Sequence, residues 1–289
     1  MTAKIIDCKR ISEEIKQEVR TASKAFHKKK HRNPCLAVAL VGDNPASQIY
    51  VGKKRQACCD VSIDSLVYYI IKSQESLINI IKQAGEDASI DGMLVQLPLP
   101  EGYNVNEVFD ALDPRKDVDV FNPINVGLLV QNRPRFIPCT PHGIQQMLRR
   151  SDISIEGNHV VIINRSNIVG KPLSSMLIQD DGEKANATVT VCHDRTPPEE
   201  LKKLCRDADI IVVAVGIPNF LTADMVRENQ VVIDVGITRM GKKVVGDVHP
   251  DVREVVGWIS TVPGGVGLLT VSMLLHNTLK AAELLDRSR

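Results

Sequence analysis

The chain has no CxxC pair among its seven cysteines, and none of them falls at a metal-ligand spacing. A zinc ribbon or a dithiol redox centre is therefore excluded, and no metal site is expected. The thiols, at 8, 35, 58, 59, 139, 192 and 205, read as reduced and mostly buried. Charge of neither sign is in surplus: 36 basic residues face 35 acidic ones, a net of +1. That balance argues against nucleic acid or an anionic membrane as a partner. Long apolar runs are missing too: IIVVAVGI at 210–217 is far shorter than the about 20 residues of a bilayer span. The N-terminal MTAKIIDCKRIS is charged and has no apolar signal core, so a cytoplasmic protein is expected. Repeats, low-complexity segments and a GxGxxG loop are absent as well.

What is present is a chain of 289 residues, 43% hydrophobic and 25% charged, long enough for two domains with real cores. Continuous β-prone runs, CLAVALVG at 35–42, SLVYYII at 65–71 and GMLVQLP at 92–98, predict strands buried on both faces. Helical patterns fall between them at 45–59 and 75–85, and an earlier one runs from Ile11 to Phe26 with Ser12 as candidate cap. A second series starts near 141, with strands at 159–164, 187–192, 209–216 and 231–236 and helices at 170–179 and 198–206. PCTPHG at 138–143 is dense in turn formers and reads as the boundary; a final helix spans 270–285. This alternation predicts two α/β domains in tandem, each with a parallel sheet.

In a doubly wound domain the loop after the first strand meets the cofactor. Here that loop is NRSNIVGKP at 164–172, where Arg165 and Ser166 suit phosphate oxygens and only Gly170 offers bare backbone. The second strand ends in CHDRT, where Asp194 favours a free ribose 2′-hydroxyl and Arg165 and Arg195 favour a 2′-phosphate. NAD and NADP both stay open. GIPNF at 216–220 and DVGITR at 234–239 follow strong strands, and TVPGGVGLLT at 261–270 crowds three glycines before the last helix. Such density implies tight turns or close backbone approach to a ligand, turn chemistry being the default reading.

In ASQIYVGKKRQA, Asn44 and Pro45 open a helix as cap and first residue. Ser47, Tyr50 and Lys54 then form one stripe at i, i+3 and i+7. Lys53 is within reach of Tyr50 but off that line, so spacing prefers Lys54 and leaves Lys53 open. A lysine in a cleft beside an aromatic loses its proton more easily and becomes an acid or base; on an open face the same pair is solvated decoration. Gln96 ends the strand at VQLPLP, where its carbonyl suits an ammonium, and KDVDVF supplies Asp117 and Asp119. A carboxylate there pairs with an aminopyrimidine edge or merely closes a turn.

SxxYxxxK, VQLPLP, KDVD, PCTPxG, RSNIVGKP, VIDVGI, VGDV and VPGGVG follow one another in that order between residues 47 and 267. In that ordered set the chain resembles the bifunctional methylenetetrahydrofolate dehydrogenase/methenyltetrahydrofolate cyclohydrolase family, FolD-like, over essentially its whole length. The resemblance implies a folate-binding catalytic domain, 1–140 plus 268–289, and a Rossmann-like NAD(P)-binding domain, 141–267, with a substrate cleft between them and the last helix returning to the first domain. It implies Lys54 as the essential lysine, Tyr50 as the ring stacked on folate, Gln96 as the lysine's partner and Asp119 as the pterin anchor. Ser47, Pro263, Gly264 and Gly265 would flank the substrate; Asn164, Arg165, Ser166, Asp194 and Ile237 would meet a nucleotide, NADP by family default. A homodimer is implied as well.

Four positions depart from the family pattern. Asn164 and Val120 stand at usual glycines, Asp194 at a serine or basic residue, and Leu268 at a proline. None removes a catalytic group. Two other readings are a dehydrogenase with weak or absent cyclohydrolase activity and a folate- or nucleotide-binding protein without turnover. The intact Ser47, Tyr50, Lys54, Gln96 and Asp119 set favours the bifunctional enzyme, because a binder has no use for the lysine.

Overall fold

The structure, a computed structural model, describes residues 2–70, 73–241 and 243–287. Ile71, at the end of an expected strand, lies outside these, as do Met1 and the last two residues of the expected domain ranges. The chain divides into two compact units, Glu13–Cys139 with Val271–Arg289, and Met1–Ser12 with Thr140–Thr270.

The first unit is built on a three-stranded parallel sheet in the order Asp64–Ile70, Cys35–Val41, Gly92–Val95. Every residue of the central strand is buried, as its unbroken apolar run requires. Ala37, Ala39 and Val41 share a core with Leu77, Ile81 and Ala84 of the Gln74–Glu86 helix. Burying side chains such as Leu77 and Ile81, both 0% exposed, contributes about 1.5–3 kcal/mol each. The helix Pro45–Asp60 is capped as expected: Asn44 Oδ1 accepts from Ala46 N at 2.9 Å and Ser47 N at 3.2 Å. Among the described residues Asp64–Ile70 pairs on one side only, with Leu66 and Tyr69 exposed.

Two helices depart from the sequence expectation. Cys8–Lys30 starts before Ser12, which is buried within it; the capping acceptor is Asp7, whose Oδ1 takes Arg10 N at 2.9 Å. PCTPHG is not a free turn: from Cys139 it forms the opening of the helix Cys139–Arg149. The division between units nevertheless falls at that segment. The last helix, Val266–Arg287, packs in the first unit, where Asn277 Nδ2 donates to Val118 O at 2.9 Å and to Ile137 O at 2.8 Å. Lys30 Nζ meets Asp286 at 2.6 Å nearby.

The second unit holds a six-stranded parallel sheet in the order Lys4–Ile5, Trp258–Ile259, Val231–Asp234, Ile210–Val213, His159–Ile163, Thr188–Cys192. Lys4 and Ile5 pair with Trp258 and Ile259, so the start of the chain supplies the edge strand of this sheet, and residues up to Ser12 group with this unit. Strand order reverses about His159–Ile163, which has Thr188–Cys192 on one side and Ile210–Val213 on the other. Such a switch point opens a crevice at the carboxyl ends of the strands. A short antiparallel ribbon, Thr238–Met240 with Lys243–Val245, was not legible in the sequence. Among the described residues no helix is long and apolar enough to cross a membrane.

Candidate active site

In the first unit the helix Pro45–Asp60 turns Lys54 toward the end of the strand Gly92–Val95, and Lys54 Nζ donates to Gln96 Oε1 at 3.0 Å. Gln96 is held in turn, its Nε2 donating to Leu97 O at 2.6 Å. A neutral amide accepts from the amine whether or not it carries its extra proton, so it orients the lysine without fixing its charge. Lys54 is half-buried, whereas Lys53 is exposed and lies 5.9 Å from the Tyr50 ring centre. The geometry thus divides the two lysines: one meets the amide, the other caps the ring in solvent. Ser47, 3% exposed, has a buried hydroxyl with no hydrogen-bond partner among the described residues.

KDVD separates into four tasks. Lys116 is buried and donates to Ala84 O at 3.0 Å and Asp87 O at 2.6 Å, closing the carboxyl end of the Gln74–Glu86 helix. Asp117, fully buried, accepts from Phe121 N at 3.1 Å, Asn122 N at 2.9 Å and Asn125 Nδ2 at 3.0 Å. Its own desolvation lifts its carboxyl to about 6 against these bonds. Val118 O receives Asn277 Nδ2 and the Cys139 thiol. Asp119 alone of the four is half-exposed. Next to it, Val120 holds φ +65°, a left-handed conformation that a β-branched residue rarely adopts and glycine takes freely.

Sequence reasoning missed Cys139, the cysteine of PCTPxG. It is buried beside Asp119 and within the field of Lys54, and burial, with Asp119 adding to it, pushes its thiol well above the ordinary range. A thiol kept protonated is no nucleophile. Cys139 donates to Val118 O at 3.4 Å and so supports the loop that carries Asp119.

In the second unit Asn164 organises the loop after His159–Ile163. Its Oδ1 accepts from Ser166 N at 2.8 Å, Ser166 Oγ at 2.7 Å and Gly170 N at 2.9 Å, and its Nδ2 donates to Ala214 O. Gly170 is obligatory, since a Cβ there would stand 2.0 Å from Asn164 O. Arg165 donates to Asp194, whose other oxygen lies 3.3 Å from Arg195 Nε, so both expected phosphate ligands flank one carboxylate. Ile237 is exposed and lies near Gly267, where an added Cβ would be 3.6 Å from its Cδ1. Pro263, Gly264 and Gly265 form a tight turn: Gly264 holds φ +94°, and a Cβ on Gly265 would meet Thr261 O at 2.2 Å. Turn geometry accounts for those two glycines without a ligand.

A parallel sheet with a switch point, a glycine-backed loop after His159–Ile163 and a lysine–glutamine pair on the other unit are the layout of a two-domain α/β enzyme. Residues 6–119 match the catalytic-domain model of tetrahydrofolate dehydrogenase/cyclohydrolase, and residues 138–286 match its NAD(P)-binding-domain model. The chain is 48% identical over 297 residues to the bifunctional protein FolD of Rhodopirellula baltica, with 98% of each covered. The crystal structure of the bifunctional FolD dehydrogenase/cyclohydrolase of Campylobacter jejuni superimposes with a TM-score of 0.92 at 44% identity, over 98% of this chain and 99% of that one. The Trypanosoma brucei dehydrogenase-cyclohydrolase, complexed with NADP and an inhibitor, gives 0.91 at 32% identity over 100% and 99%. The chain belongs to the tetrahydrofolate dehydrogenase/cyclohydrolase family.

Proposed function

We propose that the protein oxidises 5,10-methylenetetrahydrofolate with a nicotinamide dinucleotide and hydrolyses the resulting 5,10-methenyl compound to 10-formyltetrahydrofolate. The observation that carries this reading is the Lys54–Gln96 pair, 3.0 Å apart, on a chain of this family. A dinucleotide fits the residues present: a bare Gly170 backs the loop at the switch point, and Arg165 and Arg195 bring positive charge to the end of the second strand. When bound, it supplies the hydride acceptor.

The chain's own residues supply alignment and proton movement. Tyr50 stacks on the folate ring, Asp119 accepts the parallel donors of the aminopyrimidine edge, and Ser47 offers its unpartnered hydroxyl to the same substrate. In the hydrolytic step water adds to the methenyl carbon and one carbon–nitrogen bond opens. Lys54 takes the proton from that water and returns one to the departing nitrogen, held in line throughout by Gln96. Cys139 forms no bond to substrate; it keeps the Asp119 loop in place.

The choice of dinucleotide turns on Asp194. A 2′-phosphate must displace its carboxylate from Arg165 and is repelled by it, whereas a free 2′-hydroxyl donates to it. This supports a chain that accepts NAD as well as NADP. The exposed Leu66 and Tyr69 on the unpaired edge of Asp64–Ile70 support association of two copies, which sedimentation velocity reads directly. The decisive assay presents purified protein with methylenetetrahydrofolate and each nucleotide in turn, then with methenyltetrahydrofolate alone. Formation of the methenyl compound and its loss on hydrolysis are the expected results. Dinucleotide-dependent oxidation without hydrolysis would reduce the reading to a dehydrogenase, and no turnover in either assay would reduce it to a binder.

A further inference from the structure

Two buried aspartates in the second unit lock two loops together. Asp234 ends a central strand, and its Oδ1 accepts from Gly236 N at 3.0 Å and Asp247 N at 2.9 Å, while its Oδ2 accepts from Val248 N at 3.1 Å. Asp247 faces the other way: its Oδ2 accepts from Val215 N at 2.6 Å and Gly216 N at 2.8 Å. Each carboxylate presses on the glycine of the other's motif. A Cβ on Gly246 would stand 1.9 Å from Asp234 Oδ2, and one on Gly236 would stand 2.1 Å from Asp247 Cγ. VIDVGI and VGDV are therefore two halves of one reciprocal clamp.

What the clamp holds is the loop after Ile210–Val213, the strand beside the switch point. Its peptides are gripped from three sides. Asn164 Nδ2 takes Ala214 O, Asp247 takes the N–H groups of Val215 and Gly216, and Thr238 Oγ1 donates to Gly216 O at 3.4 Å. Gly216 holds φ +70°, so this loop has a fixed and unusual path directly at the carboxyl end of the sheet. Asp247 is 0% exposed. Its desolvation pushes its carboxyl up, and the backbone donors oppose that rise.

We propose that Asp247 is a positioning residue for the dinucleotide, acting through the 214–217 loop, and that it serves the dehydrogenase step while leaving the hydrolytic step untouched. The proposal rests on the bifunctional reading above, which provides two reactions on one chain, only one of which uses the nucleotide. Removing the carboxylate takes the shared acceptor from two part-buried backbone donors and frees the loop. Asn, of the same shape, can turn its single oxygen to both N–H groups and should retain most of the effect.

The test measures both activities and dinucleotide binding on the same preparations. In Asp247→Ala the KM for dinucleotide should rise at least tenfold, with calorimetric affinity falling in step, while kcat/KM for methenyltetrahydrofolate hydrolysis stays within twofold. Asp247→Asn should lie within about threefold of wild type in both. Thr238→Val, which removes only a partly exposed hydroxyl from the same loop, should shift the dinucleotide KM in the same direction by less, and it keeps the question answerable if Asp247→Ala does not fold. Parallel loss of both activities would assign Asp247 to general stability, and an unchanged dinucleotide KM in Thr238→Val and Asp247→Ala would overturn the proposal. Failure of the wild-type protein to bind either dinucleotide would instead overturn the functional reading beneath it.

Discussion

Asp117→Ala has an unusual signature. The substitution removes the acceptor of three bonds, from Phe121 N, Asn122 N and Asn125 Nδ2. Asn125 keeps its 2.8 Å bond to Pro114 O, so two backbone donors carry most of the loss, about 1–3 kcal/mol each. Against that stands the burial of the carboxylate itself. With its carboxyl lifted from 3.8 to about 6, the folded chain holds a proton that the unfolded chain has released between those values. Stability from this group is therefore greatest below about pH 4, falls as pH rises to about 6, and is flat beyond, a change of about 3 kcal/mol. The alanine variant lacks that fall. Its deficit against wild type should be widest near pH 4 and narrow by about 3 kcal/mol toward pH 7, about 6–12 °C in Tm. Calorimetry of both proteins across that range, with the folate KM as a second reading of the displaced Asp119 loop, is the assay. A deficit that widens as pH rises would mean that Asp117 behaves as a stabilised anion, and the desolvation argument for its raised carboxyl would be wrong.

Val120 holds its left-handed backbone at a cost of about 1–2 kcal/mol, which glycine would recover. Val120→Gly should therefore be about 1–2 kcal/mol less destabilising than Val118→Gly two residues earlier, where the side chain is equally buried; equal losses in chemical denaturation would refute the strain. Asp194→Ser should raise the NADP/NAD ratio of kcat/KM, since it frees Arg165 and removes the negative charge; an unchanged ratio would show that the ribose is read elsewhere.

The sequence was most legible where one residue settles the structure by itself. Asn44 before Pro45 marked a helix start, and the short, β-prone, unbroken run CLAVALV is what a strand buried on both faces requires. Pairing between distant segments was illegible. Nothing in Lys4–Ile5 announces that it extends a sheet whose other strands begin beyond residue 158. The site was legible as a set of residues but not as a division of labour. Spacing favoured Lys54 over Lys53, and the bond to Gln96 separates them. Spacing had nothing to say about which aspartate of KDVD faces inward, because that depends on Phe121, Asn122 and Asn125 closing over Asp117. Cys139 was read as a reduced thiol within a turn-forming segment; its place beside Asp119 is a tertiary fact.

The central claim is that the amine beside Gln96, and not its neighbour on the open face, moves the proton at the one-carbon bridge. Hydrolysis of methenyltetrahydrofolate by Lys54→Met and Lys53→Met, followed side by side, tests it most directly. Lys54→Met should lose about 10²–10⁴-fold in rate, and Lys53→Met should stay within about twofold of the parent. Substantial turnover without the Lys54 amine, or collapse on losing Lys53, would contradict the account.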